Sequence, residues 1–210
     1  MSKNNPRGFV EHRNLGGRVA PMTRIRRVKA NGLSGSHQKF AGDPVILVSG
    51  NTVARIPVAV TTASMPIIGV IRAVYQDGTY PELRPTTHAL PAGGNFLAAS
   101  TAGWVDVNED PNQTYLVSTD ATVVSTLIGQ YVEATASVPN TAAGRSGMQI
   151  EVGTGTNTAQ AAFSAAPMPF QVIQIGANNL NGIVGGENNQ DVEVKIHFHT
   201  LGNAGTYKSR

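Results

Sequence analysis

Short runs of apolar and β-branched residues alternate with turn-forming residues along most of this chain. The clearest runs lie at residues 45–48, 53–56, 67–75, 95–99, 103–107, 115–117, 122–124, 127–134, 148–152, 170–175 and 191–199. In the last run apolar and polar positions alternate with a period of two, as expected of a strand with one buried face. Its apolar positions are Val192, Val194, Ile196 and Phe198, and its polar positions are Glu193, Lys195, His197 and His199.

Turn chemistry separates these runs and indicates the fold class. Residues 49–52 (Ser-Gly-Asn-Thr) form a hairpin-type connection between the first two runs, and Asp77-Gly78 ends the third. Residues 80–94 are a loop punctuated by proline. The pattern predicts an all-β protein with little helix. We expect an antiparallel β-barrel or sandwich body of about eight to ten short strands over residues 41–210.

Residues 1–40 differ from this body in charge and in pattern. They hold nine of the sixteen Lys and Arg residues and one acid, Glu11, which gives a formal charge of about +8. Residues 41–210 hold seven cations and twelve acids, a formal charge of about −5. Apolar residues occur singly in the first segment, so it cannot bury enough apolar area to fold alone. We therefore predict an extended basic N-terminal arm, either disordered or ordered by a partner.

The arm carries the candidate binding residues. These are Arg13, Arg18, Arg24, Arg26, Arg27 and Lys29. Such a cluster can pair with carboxylates of a protein lattice, where arginine forms bidentate hydrogen bonds. It can also bind nucleic acid phosphates with release of counterions. Only Phe9 and Phe40 are available in the segment for base stacking, which favours the protein lattice. A solvated tail without a partner is the third interpretation.

Composition excludes several classes of protein. Charged residues make up 14% of the chain, against roughly 25% in ordinary soluble domains. There is no cysteine, which excludes disulfides, thiolate nucleophiles and Cys-ligated zinc. No apolar run approaches ~18 residues, so we expect no transmembrane helix and no membrane partner. The first residues lack the apolar segment of a secretory signal, so we expect the protein to be made and kept in a cytoplasm, or assembled there.

Catalytic and metal-binding motifs are weak throughout the sequence. His197 and His199 lie two apart on one predicted strand and could share a metal with His12, His37 or His88, although an outward polar face explains them better. Asp106 and Asp110 fit a solvated loop better than a calcium site. Residues 153–157 (Gly-Thr-Gly-Thr-Asn) lack the Lys-Ser/Thr ending of a phosphate loop. We therefore expect no enzyme and no cofactor.

Five segments, taken in order, resemble the capsid decoration (cement) proteins of tailed bacteriophages. They read NPRGF at residues 5–9, FAGDPV at 40–45, IGV at 68–70, GRSGM at 144–148 and VEVKIHFHTLG at 192–202. The resemblance implies a β-barrel or tulip-like body and no catalytic residues. It also implies a homotrimer on the outside of an icosahedral head, where it clamps neighbouring major capsid subunits.

Three functions thus remain open from the sequence. The first is a virion structural protein that decorates a phage head after assembly in the bacterial cytoplasm, with the basic arm bound to the capsid or to a neighbouring subunit. Many shallow contacts repeated by symmetry would supply its affinity. The second is an accessory protein that binds nucleic acid through the arm. The third is an enzyme or lectin-like module that uses the His197/His199 face.

Overall fold

Nearly all the regular secondary structure in the described part of the chain is β-strand. The computed structural model describes residues 8–17, 20–31, 35, 37–56, 66–76, 96–121, 123, 125–152, 168–176, 190–197 and 199–200. Within them the strands are β1 (Val10–Asn14), β2 (Thr23–Val28), β3 (Lys39–Phe40), β4 (Pro44–Ser49), β5 (Thr52–Arg55), β6 (Ile67–Gln76), β7 (Phe96–Leu97), β8 (Gly103–Asn108), β9 (Gln113–Ser118), β10 (Tyr131–Ala136), β11 (Met148–Glu151), β12 (Phe170–Ile175) and β13 (Asp191–Ile196). One short 3-10 helix spans Ser125–Leu127.

Five strands pair in a closed ring in the order β2-β5-β4-β6-β8, and β8 returns to β2. All pairings in the ring are antiparallel except β2 with β5, which is parallel and has the single register pair Arg27↔Thr52. The ring encloses a small apolar core. Its members are Val28, Val45, Val53, Ile68, Ile71, Val74, Leu97, Val105 and Val107. The two-stranded β3–β7 sheet contributes Leu97 to this core and stacks Phe40 on Phe96 at 4.9 Å between ring centroids.

The other strands form an open, antiparallel six-stranded sheet in the order β1-β9-β13-β12-β10-β11. Its apolar face packs on a second and larger core. Phe9 lies in this core 4.7 Å from Phe170 and 6.3 Å from Tyr115 between ring centroids. Ile46, Ile56 and Val70, which come from the β4–β6 part of the chain, are buried in the same cluster. Residues of both sheets therefore build the larger core, which joins the ring to the open sheet.

The all-β prediction is confirmed, while the shape of the body differs from the expectation. The body as a whole is not one closed barrel of eight to ten strands, because the five-stranded ring is joined to an open sheet. Most predicted strands are present within two residues of their expected bounds. The predicted strand at 122–124 is wrong at Val123, which lies outside any strand, and the 3-10 helix that follows moves the start of the next strand to Tyr131.

The extended arm is also corrected wherever residues 1–40 are described. Residues 10–14 are the terminal strand of the six-stranded sheet, and residues 23–28 are a strand of the ring. Phe9, Val28 and Phe40 are at most 2% exposed. The single apolar residues of this segment do not form a core of their own, because they complete cores built by strands far away in sequence. The turn at Asp77-Gly78, the loop at 80–94, residues 153–157, His88 and Phe198 lie outside the described residues.

Candidate functional site at the junction of the two sheets

The predicted binding arginines on β2 hold a buried glutamate of the protein itself. Arg26 donates from Nε to Glu109 Oε1 at 2.5 Å and from Nη2 to Glu109 Oε2 at 2.8 Å. Its Nη1 donates to Asn51 Oδ1 at 2.7 Å. Arg24 Nε lies 3.6 Å from Glu109 Oε2, with 59% of its side chain exposed. β2 pairs with β8, and Glu109 directly follows β8, so the sheet register brings these three charges together.

Arg13 is placed on the other sheet, away from the β2 arginines. It lies on β1 and reaches across β9 to Glu193 on β13, donating from Nε to Oε1 at 2.6 Å and from Nη2 to Oε2 at 2.8 Å. Glu193 was expected on the outward polar face of its strand, yet its side chain is 0% exposed. The Arg13 side chain covers it, which explains how a carboxylate can be buried there without losing its charge partner.

Of the remaining predicted binding residues, Arg27 and Lys29 are exposed and Arg18 lies outside the described residues. The Arg27 guanidinium sits 5.4 Å from the centroid of the Trp104 ring, a cation–π contact. The structure therefore groups Arg24, Arg26, Arg27 and Lys29 on or next to β2, and it separates Arg13 from them. Two of the five described cations, Arg13 and Arg26, form bidentate pairs with buried glutamates.

Four segments that are distant in sequence cross at one point between the two sheets, which we call the junction: residues 8–9, 41–43, 70–72 and 144–146. Phe9 N donates to Gly42 O at 2.9 Å, Gly42 N to Ile71 O at 2.8 Å, and Ser146 N to Ala41 O at 3.3 Å. The packing is close. A Cβ on Gly8 would lie 2.4 Å from Ser146 Cβ, and Gly8 has a φ of +68°, so only glycine fits without strain.

A buried charge cluster lies beneath the junction. Asp43 is 0% exposed and accepts hydrogen bonds from Ser146 Oγ at 2.5 Å and Phe40 N at 2.9 Å. Arg55 Nε lies 3.8 Å from Asp43 Oδ1. Lys39, also buried, donates from Nζ to the His37 carbonyl. Burial raises the pKa of Asp43, although the neighbouring Arg55 opposes this. Burial, together with the Arg55 charge, lowers the pKa of Lys39 to about 8.

A groove of about 480 Å³ opens directly above the junction. Its lining residues are Phe9, Val10, Glu11, Ala41, Gly42, Val70, Ile71, Arg72 and Arg145. Within the lining, Glu11 Oε1 accepts from Asn108 Nδ2 at 2.7 Å and lies 3.0 Å from Arg72 Nε. Arg72 Nη1 is also 3.7 Å from Asp106 Oδ2. Arg145, the other cation of the lining, is exposed and forms no ion pair with any residue in the described part of the chain.

The weaker chemical candidates that the structure describes do not assemble into a reactive site. His197 packs on the Tyr131 ring at 4.4 Å between centroids, and His199 is 2% exposed. Across the described ranges, no group of three or more His, Cys, Asp or Glu residues is placed to hold a metal ion. Asp106 faces Arg72, while Asp110 accepts from Asn14 Nδ2 at 2.8 Å, so the two carboxylates have separate partners.

The buried histidine predicts acid sensitivity. Burial lowers the pKa of His199 from 6.5 to about 4, because the charged form loses its hydration. The unfolded chain therefore binds this proton between pH 6.5 and pH 4 and the folded chain does not. Stability is complete above pH 6.5 and falls toward pH 4, by about 3 kcal/mol from this group. Burial also lowers the pKa of His37 and His197, which acts in the same direction.

Urea unfolding at a series of pH values from 7.5 to 4.5 measures this effect. His199→Gln removes the titrating group, so its stability should vary less with pH across this window than that of the wild type. An identical pH slope in the two proteins would contradict the assignment of the effect to His199.

Sequence reasoning missed the partners of the arginines and the cluster at the junction. Nothing in the local sequence marks Glu109 or Glu193 as buried. The FAGDPV and GRSGM segments, which supply Asp43 and Ser146, lie about 100 residues apart in the chain. The contact between Asp43 and Ser146 could not be predicted from a single sequence, because it depends on which strands pair.

No helix in the described ranges is long and apolar enough to span a membrane. Comparison with models of protein families, with curated protein sequences and with solved structures gave no match.

Proposed function

We propose that this chain is a virion structural protein, a capsid decoration protein that binds the outer surface of an icosahedral phage head as a homotrimer. In this role it stabilises contacts between neighbouring major capsid subunits, after assembly in the cytoplasm of the bacterial host. No catalytic step and no cofactor belongs to the proposal.

One observation carries the proposal: the segments that resemble decoration proteins meet in space. Residues of NPRGF, FAGDPV, IGV and GRSGM form the junction or lie next to it. The fifth segment supplies β13 and the bridge between His199 and Ile67. Two proteins that share this fold would have similar residues in the segments that hold the two sheets together. Their convergence supports reading the resemblance as one of architecture.

The charge arrangement supports a revised mode of attachment. Arg13 and Arg26 hold buried glutamates, so binding a capsid carboxylate or a phosphate would require breaking those pairs at a large cost. Arg27 and Lys29 are exposed and can add contacts at the rim of the interface, and the folded body supplies the main contact surface. Repetition of modest contacts around a trimer then provides avidity without a deep pocket.

Co-sedimentation with isolated phage heads that lack their decoration protein tests the proposal. We expect the protein to pellet with the heads at saturation and to elute as a species of about three times 22.0 kDa in multi-angle light scattering. Deleting residues 1–40 is a poor test, because it removes three strands. A folded, strictly monomeric protein that does not bind heads would overturn the proposal.

A further inference from the structure

The groove above the junction has the features of a peptide-binding site. Its floor is apolar, from Phe9, Val70 and Ile71, and its volume lies in the range of ~300–1,000 Å³ typical of ligand sites. Its charged lining residues differ in their partners. Glu11 pairs with Arg72, which also faces Asp106 outside the lining, whereas Arg145 has no ion partner among the described residues.

We propose that this groove binds an extended segment of a partner protein that carries a carboxylate side chain beside apolar ones. The carboxylate pairs with Arg145, and apolar side chains two positions away, which point to the same side of an extended chain, lie on the groove floor. Charge complementarity selects an acidic segment, since among the described lining residues Arg145 is the charge without an ion partner. Arginine suits this role because its guanidinium binds a carboxylate through two parallel hydrogen bonds.

The position of Arg145 is fixed before any partner arrives. Its backbone exchanges two hydrogen bonds with Asn140, at 3.1 Å and 3.0 Å. The following residue, Ser146, is anchored to Asp43 and to Ala41 O. The groove floor is held by the hydrogen bonds of the junction. Binding therefore orders only the arginine side chain and the incoming segment, which keeps the entropic cost low.

The flank of the groove favours a peptide over a compact small molecule. Phe9, Val10 and Glu11 line it in succession, and β1 is the terminal strand of the six-stranded sheet. Within the described residues β1 pairs only with β9. A terminal strand offers backbone groups to an extended chain, as in recognition by strand addition. Val10, on the same flank, is 45% exposed and can contact an apolar side chain of the segment.

The proposal that the groove binds an acidic, extended segment does not depend on the proposed function. The further claim that this segment belongs to a major capsid subunit rests on the proposed function. Two experiments separate the two claims. In the first, the full chain is titrated with the peptide acetyl-Val-Thr-Glu-Thr-Val-amide, which presents Glu and both Val side chains on one face when extended, and with its Gln analogue, and binding is followed by ¹⁵N chemical shifts. We expect the Glu peptide to bind about tenfold more tightly, as for a hydrogen-bonded charged pair, and to shift the amides of Val10, Arg72 and Arg145.

Arg145→Gln is the test variant, and Lys29→Gln is its matched control, an exposed cation that does not line the groove. We expect Arg145→Gln to remove the preference for the Glu peptide and Lys29→Gln to keep it. Equal binding of the two peptides by the wild type, or no binding of either, would overturn the proposal. An oligomer that dissociates in Arg145→Gln and excludes the peptide would also overturn it, since a second copy would then fill the groove.

In the second experiment, both variants are sedimented with phage heads. Loss of head binding in Arg145→Gln alone would place the acidic segment on the capsid. If Arg145→Gln loses its preference for the Glu peptide but still binds heads like the wild type, the acidic segment does not belong to the capsid. The peptide preference of the groove would stand in that case. Failure of the wild type to bind heads would refute the proposed function. The peptide titration would still test whether the groove binds an acidic peptide.

Discussion

Replacing Asp43 with asparagine should destabilise the protein by about 3–5 kcal/mol, the usual cost of removing one partner from a buried charge pair. Asparagine keeps the shape of the side chain and can still accept from Phe40 N. It cannot supply the negative charge that faces Arg55, whose side chain is only 10% exposed, and the buried Lys39. Chemical denaturation at pH 7 measures the loss as a lower midpoint with an unchanged slope.

A second substitution shows whether charge is the cause. Arg55→Met in the Asp43→Asn background removes the uncompensated guanidinium and places an apolar side chain near Met148, whose sulfur now lies 3.1 Å from Arg55 Nη2. We expect this double variant to recover more than half of the lost stability. Asp106→Asn is the matched control, because that carboxylate is partly exposed and should cost less than about 1 kcal/mol. Equal losses in the two Asp→Asn variants would contradict the buried-cluster interpretation.

The local parts of the fold could be predicted from sequence because local patterns determine them. Strand β12 has the predicted bounds, and the β4–β5 hairpin forms at the expected turn around Gly50 and Asn51. The period of two in β13 correctly places Val192 and Val194 in the core. The long-range parts could not be predicted in the same way. Whether strands close a ring depends on pairs such as Arg27↔Thr52, which no single segment encodes.

The prediction of an extended arm was wrong for the same reason, because long-range strand pairing is not encoded in the segment itself. A segment with isolated apolar residues looks unable to fold, and by itself it is. Phe9 and Val28 are nevertheless buried, because each fills a place in a core that other strands have nearly completed. The arginines of this segment were predicted to bind a partner because their partners within the protein are distant in sequence. Sequence shows the charge of Arg26 but not that β8 brings Glu109 beside it.

Glu109→Gln should cost about 3–5 kcal/mol and leave any surface interaction of the folded protein unchanged. The carboxylate is 0% exposed and binds Arg26 through two hydrogen bonds, and Arg26 is itself 8% exposed. The neutral amide leaves the guanidinium buried without a counter-charge. Arg26→Gln should destabilise by a similar amount for the converse reason. Thermal and urea unfolding of both variants measure the effect.

Arg24→Gln is the control for this pair, because Arg24 approaches the same glutamate from an exposed position at 3.6 Å and should cost less than about 1 kcal/mol. The three variants separate the two roles assigned to these arginines. A binding arm predicts that Arg24→Gln and Arg26→Gln both keep full stability and both lose head binding. The structure predicts a large loss of stability in Arg26→Gln and a small one in Arg24→Gln. An Arg26→Gln protein as stable as the wild type would show that the Arg26–Glu109 pair does not hold β2 against β8.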